Sequence, residues 1–129
     1  MKTKFFFPPF IPLLFILFPF SLYSQHFTEI KEPVLSQAPL DDYWTGAAWI
    51  DVDNDDDLDL FLTDRVQGRE MRTNKLFLNQ NGNFKALAEG ILVNDEGYWF
   101  GQSWGDYNND GLMDVFVAGF PGALYKNKG

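Results

Sequence analysis

Two stretches of this chain repeat each other at a fixed spacing, and that repeat restricts its possible folds more than any other feature. Trp49 to Phe61 (WIDVDNDDDLDLF) aligns without a gap on Trp104 to Phe116 (WGDYNNDGLMDVF), an offset of 55 residues. A second pair follows: Asn74 to Asn79 (NKLFLN) aligns on Gly122 to Asn127 (GALYKN) at an offset of 48, so the connection from Thr63 to Thr73 is about seven residues longer in the first unit. Units this short cannot bury a hydrophobic face alone and must stack on a neighbour, which points to a repeat architecture rather than an ordinary single-core domain.

Within each unit the periodicity is that of antiparallel strands. Leu58, Leu60 and Leu62 alternate with Asp59, Phe61 and Thr63, and Met113, Val115 and Val117 repeat the pattern; a period of two argues for a strand. Lys75 to Asn79 and Asn83 to Leu87 are short strand candidates joined by Asn81-Gly82, a favoured hairpin pair because both residues tolerate positive φ. Trp99 to Trp104 supplies the strand into the second acidic segment, Ala86 to Gly90 a short turn, and Phe27 to Ile30 a possible edge strand. No window carries helical periodicity with caps at both ends. The expected fold is all-β, built from about two four-stranded antiparallel units of propeller-blade length, the second incomplete.

Between the first two strands of each unit lies a nine-residue acidic loop. Asp51, Asp53, Asp55 and Asp59 stand at positions 1, 3, 5 and 9 of the first, and Asp106, Asn108, Asp110 and Asp114 at the same positions of the second. Alternating oxygen donors on a tightly curled loop converge inward, with the carbonyl at position 7 (Asp57 and Leu112) as a further ligand. Hard oxygen donors at this density suit Ca²⁺. Gly111 at position 6 fits the sharp turn, whereas Asp56 holds that position in the first loop and meets a steric cost for positive φ. The second loop is therefore expected to be the better shaped and the first the more highly charged. Position 12 holds Leu62 or Val117 instead of Glu and no helices flank the loops, which argues against an EF-hand.

Charge and composition agree with a cation-binding role. The first 24 residues hold Lys2 and Lys4, no acid, seven of the fourteen Phe and four of the seven Pro; the rest carries eight basic against eighteen acidic residues, a net −10. Nucleic acid and anionic membrane are poor partners for such a chain, and cations good ones. The basic start, the apolar run from Phe5 to Leu22 and the small-residue exit at Tyr23-Ser24-Gln25 form a secretory signal peptide over 1–24, which predicts a secreted or cell-surface product with no stable membrane span after cleavage. The complete absence of Cys excludes disulfides, thiolate zinc sites and a cysteine nucleophile. His26, the one imidazole, adjoins the cleavage point, neither Ser36 nor Ser103 sits in the Gly-x-Ser-x-Gly setting of a nucleophile elbow, and the Asp pairs that could suggest glycosidase carboxylates are better explained as metal ligands. Arg65, Arg69 and Arg72 read as a solvated basic counterweight in the long hairpin loop. Tyr43, Trp44, Tyr98 and Trp99 are either blade core or an aromatic binding rim.

The segments WGDYNNDGLMDVFV and LYKNKG, with Phe100-Gly101 just upstream, resemble the FG-GAP or VCBS repeat over roughly Thr45 to Gly129. The resemblance implies blades of an integrin-α-like β-propeller, typically seven-bladed, with Ca²⁺ held by Asp51, Asp53, Asp55, the Asp57 carbonyl and Asp59, and by Asp106, Asn108, Asp110, the Leu112 carbonyl and Asp114. It divides the chain into a signal peptide (1–24), a lead-in (25–44), a first repeat (45–98) and a truncated second repeat (99–129). Closed propellers need four or more blades, so the chain is expected to be the N-terminal part of a longer protein; a short protein that closes by oligomerising is the alternative. The expected function is a non-catalytic binding or adhesion module for a protein or glycan ligand, with further blades in the same chain or from other copies as partners. The alternative is the start of an extracellular polysaccharide lyase or hydrolase whose catalytic residues lie elsewhere.

Overall fold

Strands form where the period of two predicts them, and an extra, unforeseen strand ties the two units together. The computed structural model describes residues 26–36, 43–65 and 70–129; the signal-peptide segment and Arg69 lie outside them. In chain order the elements are α1 (Pro33–Ser36), β1 (Tyr43–Ile50), β2 (Asp59–Arg65), β3 (Arg72–Thr73), β4 (Lys75–Gln80), β5 (Asn83–Ala86), α2 (Ile91–Asn94), β6 (Glu96–Gly105), β7 (Asp114–Phe120) and β8 (Ala123–Tyr125). Two four-stranded antiparallel sheets result, ordered β1-β2-β4-β5 and β3-β6-β7-β8. Residues 27–30 form no strand, and Phe27 and Ile30 are exposed. Ile91–Asn94 forms a single helical turn, too short to leave a periodic signature.

The 55-residue repeat extends to backbone irregularities. The β1–β2 register shifts between Trp44 and Gly46, and the β6–β7 register shifts between Trp99 and Gly101, one repeat later. Such bulges bend a strand and sharpen its twist. Asn81 and Gly82 both take positive φ, 55° and 86°, at the tight β4–β5 hairpin, as a two-residue connection between right-twisted strands requires.

In the long connection, Arg72 is not the solvated residue expected. Arg72 and Thr73 pair with Gly97 and Glu96, so this insertion supplies the second sheet with an edge strand. Arg72 is half-buried there, its carbonyl accepts a hydrogen bond from the Trp99 indole at 2.8 Å, and its guanidinium lies 3.7 Å from Glu70. The second sheet thus reaches four strands by recruiting one from the first unit.

The core lies between the sheets. Phe61 and Leu76 from the first pack with Val93, Trp99, Val115, Val117 and Tyr125. Trp99 is therefore core and not rim. Its ring leaves no space for a side chain at either Gly97 or Gly119, where an added Cβ would come within 2.6 Å and 2.5 Å of ring carbons. At one end of the interface a polar layer replaces apolar contact: the Thr45 hydroxyl donates to the Trp99 carbonyl at 3.0 Å, and Thr63, fully buried, donates to Gln102 Oε1 at 3.2 Å.

Candidate metal centre

Each acidic loop is curled by its own carboxylates. In the first, Asp51 accepts hydrogen bonds from the backbone N–H groups of Asp55 and Asp56, both at 3.1 Å, and Asp55 Oδ1 accepts from the Asp57 N–H at 2.9 Å. In the second, Asp106 accepts from Asp110 (3.1 Å) and Gly111 (2.8 Å), and Asp110 Oδ1 from Leu112 (3.1 Å). The positive φ values also repeat, with Asn54 at 59° and Asp56 at 70° matching Asn109 at 60° and Gly111 at 85°. The backbone of the first loop therefore follows the second despite Asp56. Asp is among the side chains that tolerate the left-handed region best, so the expected difference in shape does not arise.

The ninth position of each loop is fixed by strands. Asp59 and Asp114 begin β2 and β7 and are buried. Asp59 accepts from the N–H groups of Val52 (2.9 Å) and Asn79 (2.7 Å); Asp114 accepts from the Asn127 N–H (2.7 Å) and the Asn108 amide (3.1 Å). Burying an ionised carboxylate is costly unless donors satisfy it, and backbone N–H groups do so here. Sequence reasoning did not single out Asn79 and Asn127, although their shared place in the 48-residue offset was a usable signal. Asn127 also donates from its side chain to the Val52 carbonyl at 2.8 Å, joining the end of one unit to the acidic loop of the other.

The two loops differ in charge. Asp51, Asp53 and Asp59 each bring a carboxylate oxygen within 4.8 Å of the others, a donor set suited to a hard cation. Asp53 is exposed, and its carboxyl is held above the ordinary range by partial desolvation and then by repulsion from Asp55, Asp59 and Asp51. Among the described residues no comparable trio of acids forms in the second loop. Asn108 stands at its third position, and Asp110 is ion-paired with the Lys126 ammonium at 2.9 Å. That pairing holds the Asp110 carboxyl below its usual range and the Lys126 amine above its own. Lys126 escaped the sequence reading because β8 and the residues after it bring it to a loop earlier in the chain.

The family model for the FG-GAP-like repeat matches residues 51–117, which contain both acidic loops and the strands between them. No curated protein and no solved structure matched the chain. Among the described residues, no helix is long and apolar enough to cross a membrane.

Proposed function

Because the chain belongs to the FG-GAP-like repeat family, we propose that it is a secreted or cell-surface binding module, non-catalytic, whose propeller-type units are stabilised by Ca²⁺ and which engages a protein or glycan ligand. The observation that carries the cation reading is the gathering of Asp51, Asp53 and Asp59 on a loop already curled by its own hydrogen bonds. These three would hold the ion, with Asp55 and the Asp57 carbonyl completing a set of oxygens. Bound Ca²⁺ supplies positive charge that offsets the mutual repulsion of the loop and fixes the strand connection it spans. In the second loop Asp106, Asn108, Asp110, the Leu112 carbonyl and Asp114 are the corresponding donors, with Lys126 as a competing resident charge on Asp110. The first loop is thus the stronger site in this reading.

Export is supported by the basic and apolar leader over 1–24, and repeats at 45–98 and 99–129 remain the proposed units. Tyr43 and Trp44 are exposed at the start of β1 and provide aromatic surface for a ligand. A glycan and matrix-protein array probed with the exported chain tests the binding role. Binding in calcium that a chelator abolishes is expected; binding unaffected by chelation, or no binding on any surface, counts against it.

A further inference from the structure

The turn of the β4–β5 hairpin is fastened to the first acidic loop. Asp57 Oδ2 accepts a hydrogen bond from the Asn81 N–H at 2.6 Å, and the Asn79 amide donates to the Leu58 carbonyl at 3.0 Å. Asn79 Oδ1 in turn accepts from the Gly82 N–H at 2.8 Å. Asn81 and Gly82 are exposed, and a Cβ added at Gly82 would meet nothing within 4 Å. Packing therefore does little to hold this turn. Hydrogen bonds hold it, together with the strand pairing that begins at Gln80 and Asn83.

Asn81-Gly82 is also the one Asn-Gly pair in the sequence, and every other Asn precedes a residue that carries a side chain. The side-chain carbonyl carbon of an Asn is an electrophile within reach of the backbone nitrogen that follows it. A Gly in that place leaves the nitrogen unhindered and its backbone free to rotate. In the closed turn the Gly82 N–H is directed at Asn79 Oδ1, and both residues are fixed at positive φ. Attack on Asn81 Cγ requires that bond to break and the peptide to turn, so its rate follows the local opening of the hairpin tip.

We propose that Asn81 is a spontaneous modification site, deamidating through Gly82, and that the first acidic loop sets the rate by holding the turn shut through Asp57. The Gly82 nitrogen loses its proton and bonds to Asn81 Cγ; the Cγ–Nδ2 bond breaks, and the leaving nitrogen takes up a proton and departs as ammonia. Water then opens the cyclic imide, at one carbonyl to give aspartate and at the other to give isoaspartate. Isoaspartate carries the main chain through Cβ and Cγ, which adds a methylene to a connection whose two-residue length fixes the β4–β5 register. Either product also adds a negative charge to the residue whose N–H the Asp57 carboxylate holds, and like charges repel. The element that such a change loosens is the edge strand β5, whose Phe84 lies 5.9 Å from Trp49. The proposal does not depend on a cation in the loop, to which Asp57 would offer only its carbonyl.

Incubation of the full chain at mildly alkaline pH, followed over time by peptide mapping in a mass spectrometer and by an isoaspartate methyltransferase assay, tests the proposal. Asn81 should show the mass change of an amide becoming a carboxylate before any other Asn does, and more slowly than in a short unfolded peptide spanning the turn. Asn81→Gly, which keeps a residue suited to positive φ, should abolish the isoaspartate signal. Asp57→Ala should speed the reaction at Asn81 roughly tenfold, the effect on local opening of losing one hydrogen bond to a charged acceptor, and should leave the rate at Asn94, away from the turn, unchanged. Asp57→Asn, whose amide oxygen accepts only a neutral bond, takes its place with a smaller acceleration should near-ultraviolet circular dichroism show that Asp57→Ala has lost its fold. An Asn81 that stays intact while another Asn is modified overturns the proposal. So does an Asp57 variant that deamidates at the wild-type rate, or one that speeds Asn94 as much as Asn81.

Discussion

Asp53 shows most clearly how single residues set the properties of the acidic loops. It is exposed, and its carboxyl is raised by partial desolvation and by repulsion from Asp55, Asp59 and Asp51 around it. Asp59 is the opposite case, buried but held by two N–H donors. Replacing Asp53 by Asn should therefore raise the melting temperature of the calcium-free protein, since it removes repulsion and no strand-fixing bond. The same change should weaken calcium binding by roughly tenfold, or about 1.4 kcal/mol. Thermal melts with and without chelator, combined with a calcium titration, check both effects; an unchanged affinity would remove Asp53 from the ligand set. The gathering of Asp51, Asp53 and Asp59 was legible because alternation inside a nine-residue segment is a local pattern. Lys126 was not, because its partnership with Asp110 depends on a hairpin returning the chain to the loop.

At the scale of elements, the strand pattern was readable wherever apolar and polar residues alternated, and it failed where pairing is decided from a distance. Two residues, Arg72 and Thr73, carry no periodicity, and only Gly97 and Glu96 across the sheet make them a strand. The turn α2 is tied down in a similar way, by an element 30 residues further on: the Tyr125 hydroxyl in β8 donates to Asp95, just after α2, at 2.6 Å. Burial, followed by that bond to the Asp95 carboxylate, pushes the phenol well above its ordinary range. A phenol whose folded pKa is raised contributes stability that is complete below its unfolded value of about 10 and is lost as pH climbs through the folded value. Stability of the wild type should therefore fall from about pH 10 upward, and Tyr125→Phe should flatten that fall while costing about 1 kcal/mol at neutral pH. Urea melts across the alkaline range measure both; parallel pH profiles for the two proteins would contradict the assignment.

The described residues form two sheets whose contact buries one face of each, with acidic loops at repeat-related positions between β1 and β2 and between β6 and β7. Asn127 bridges Asp114 of one unit to the Val52 carbonyl of the other, and Val52 in turn donates to Asp59, so both loops are built into the joint between units. A cation in the first loop would then stabilise the pair of units together, by mass action on the folded state. The repeat made the architecture legible in the sequence because the offsets of 55 and 48 carry across loops, bulges and strand pairings alike. Which apolar set faced inward was less legible, since Phe61 and Phe116 occupy the same repeat position with opposite fates. Only their neighbours in space distinguish them. The most direct measurement of the central claim is a calorimetric titration of the chelator-treated protein with Ca²⁺, followed by a thermal melt of the same samples. The account predicts a saturable heat with a rise in melting temperature that grows with free calcium, both reduced by Asp53→Asn. An absence of heat together with an unchanged melting temperature would contradict it.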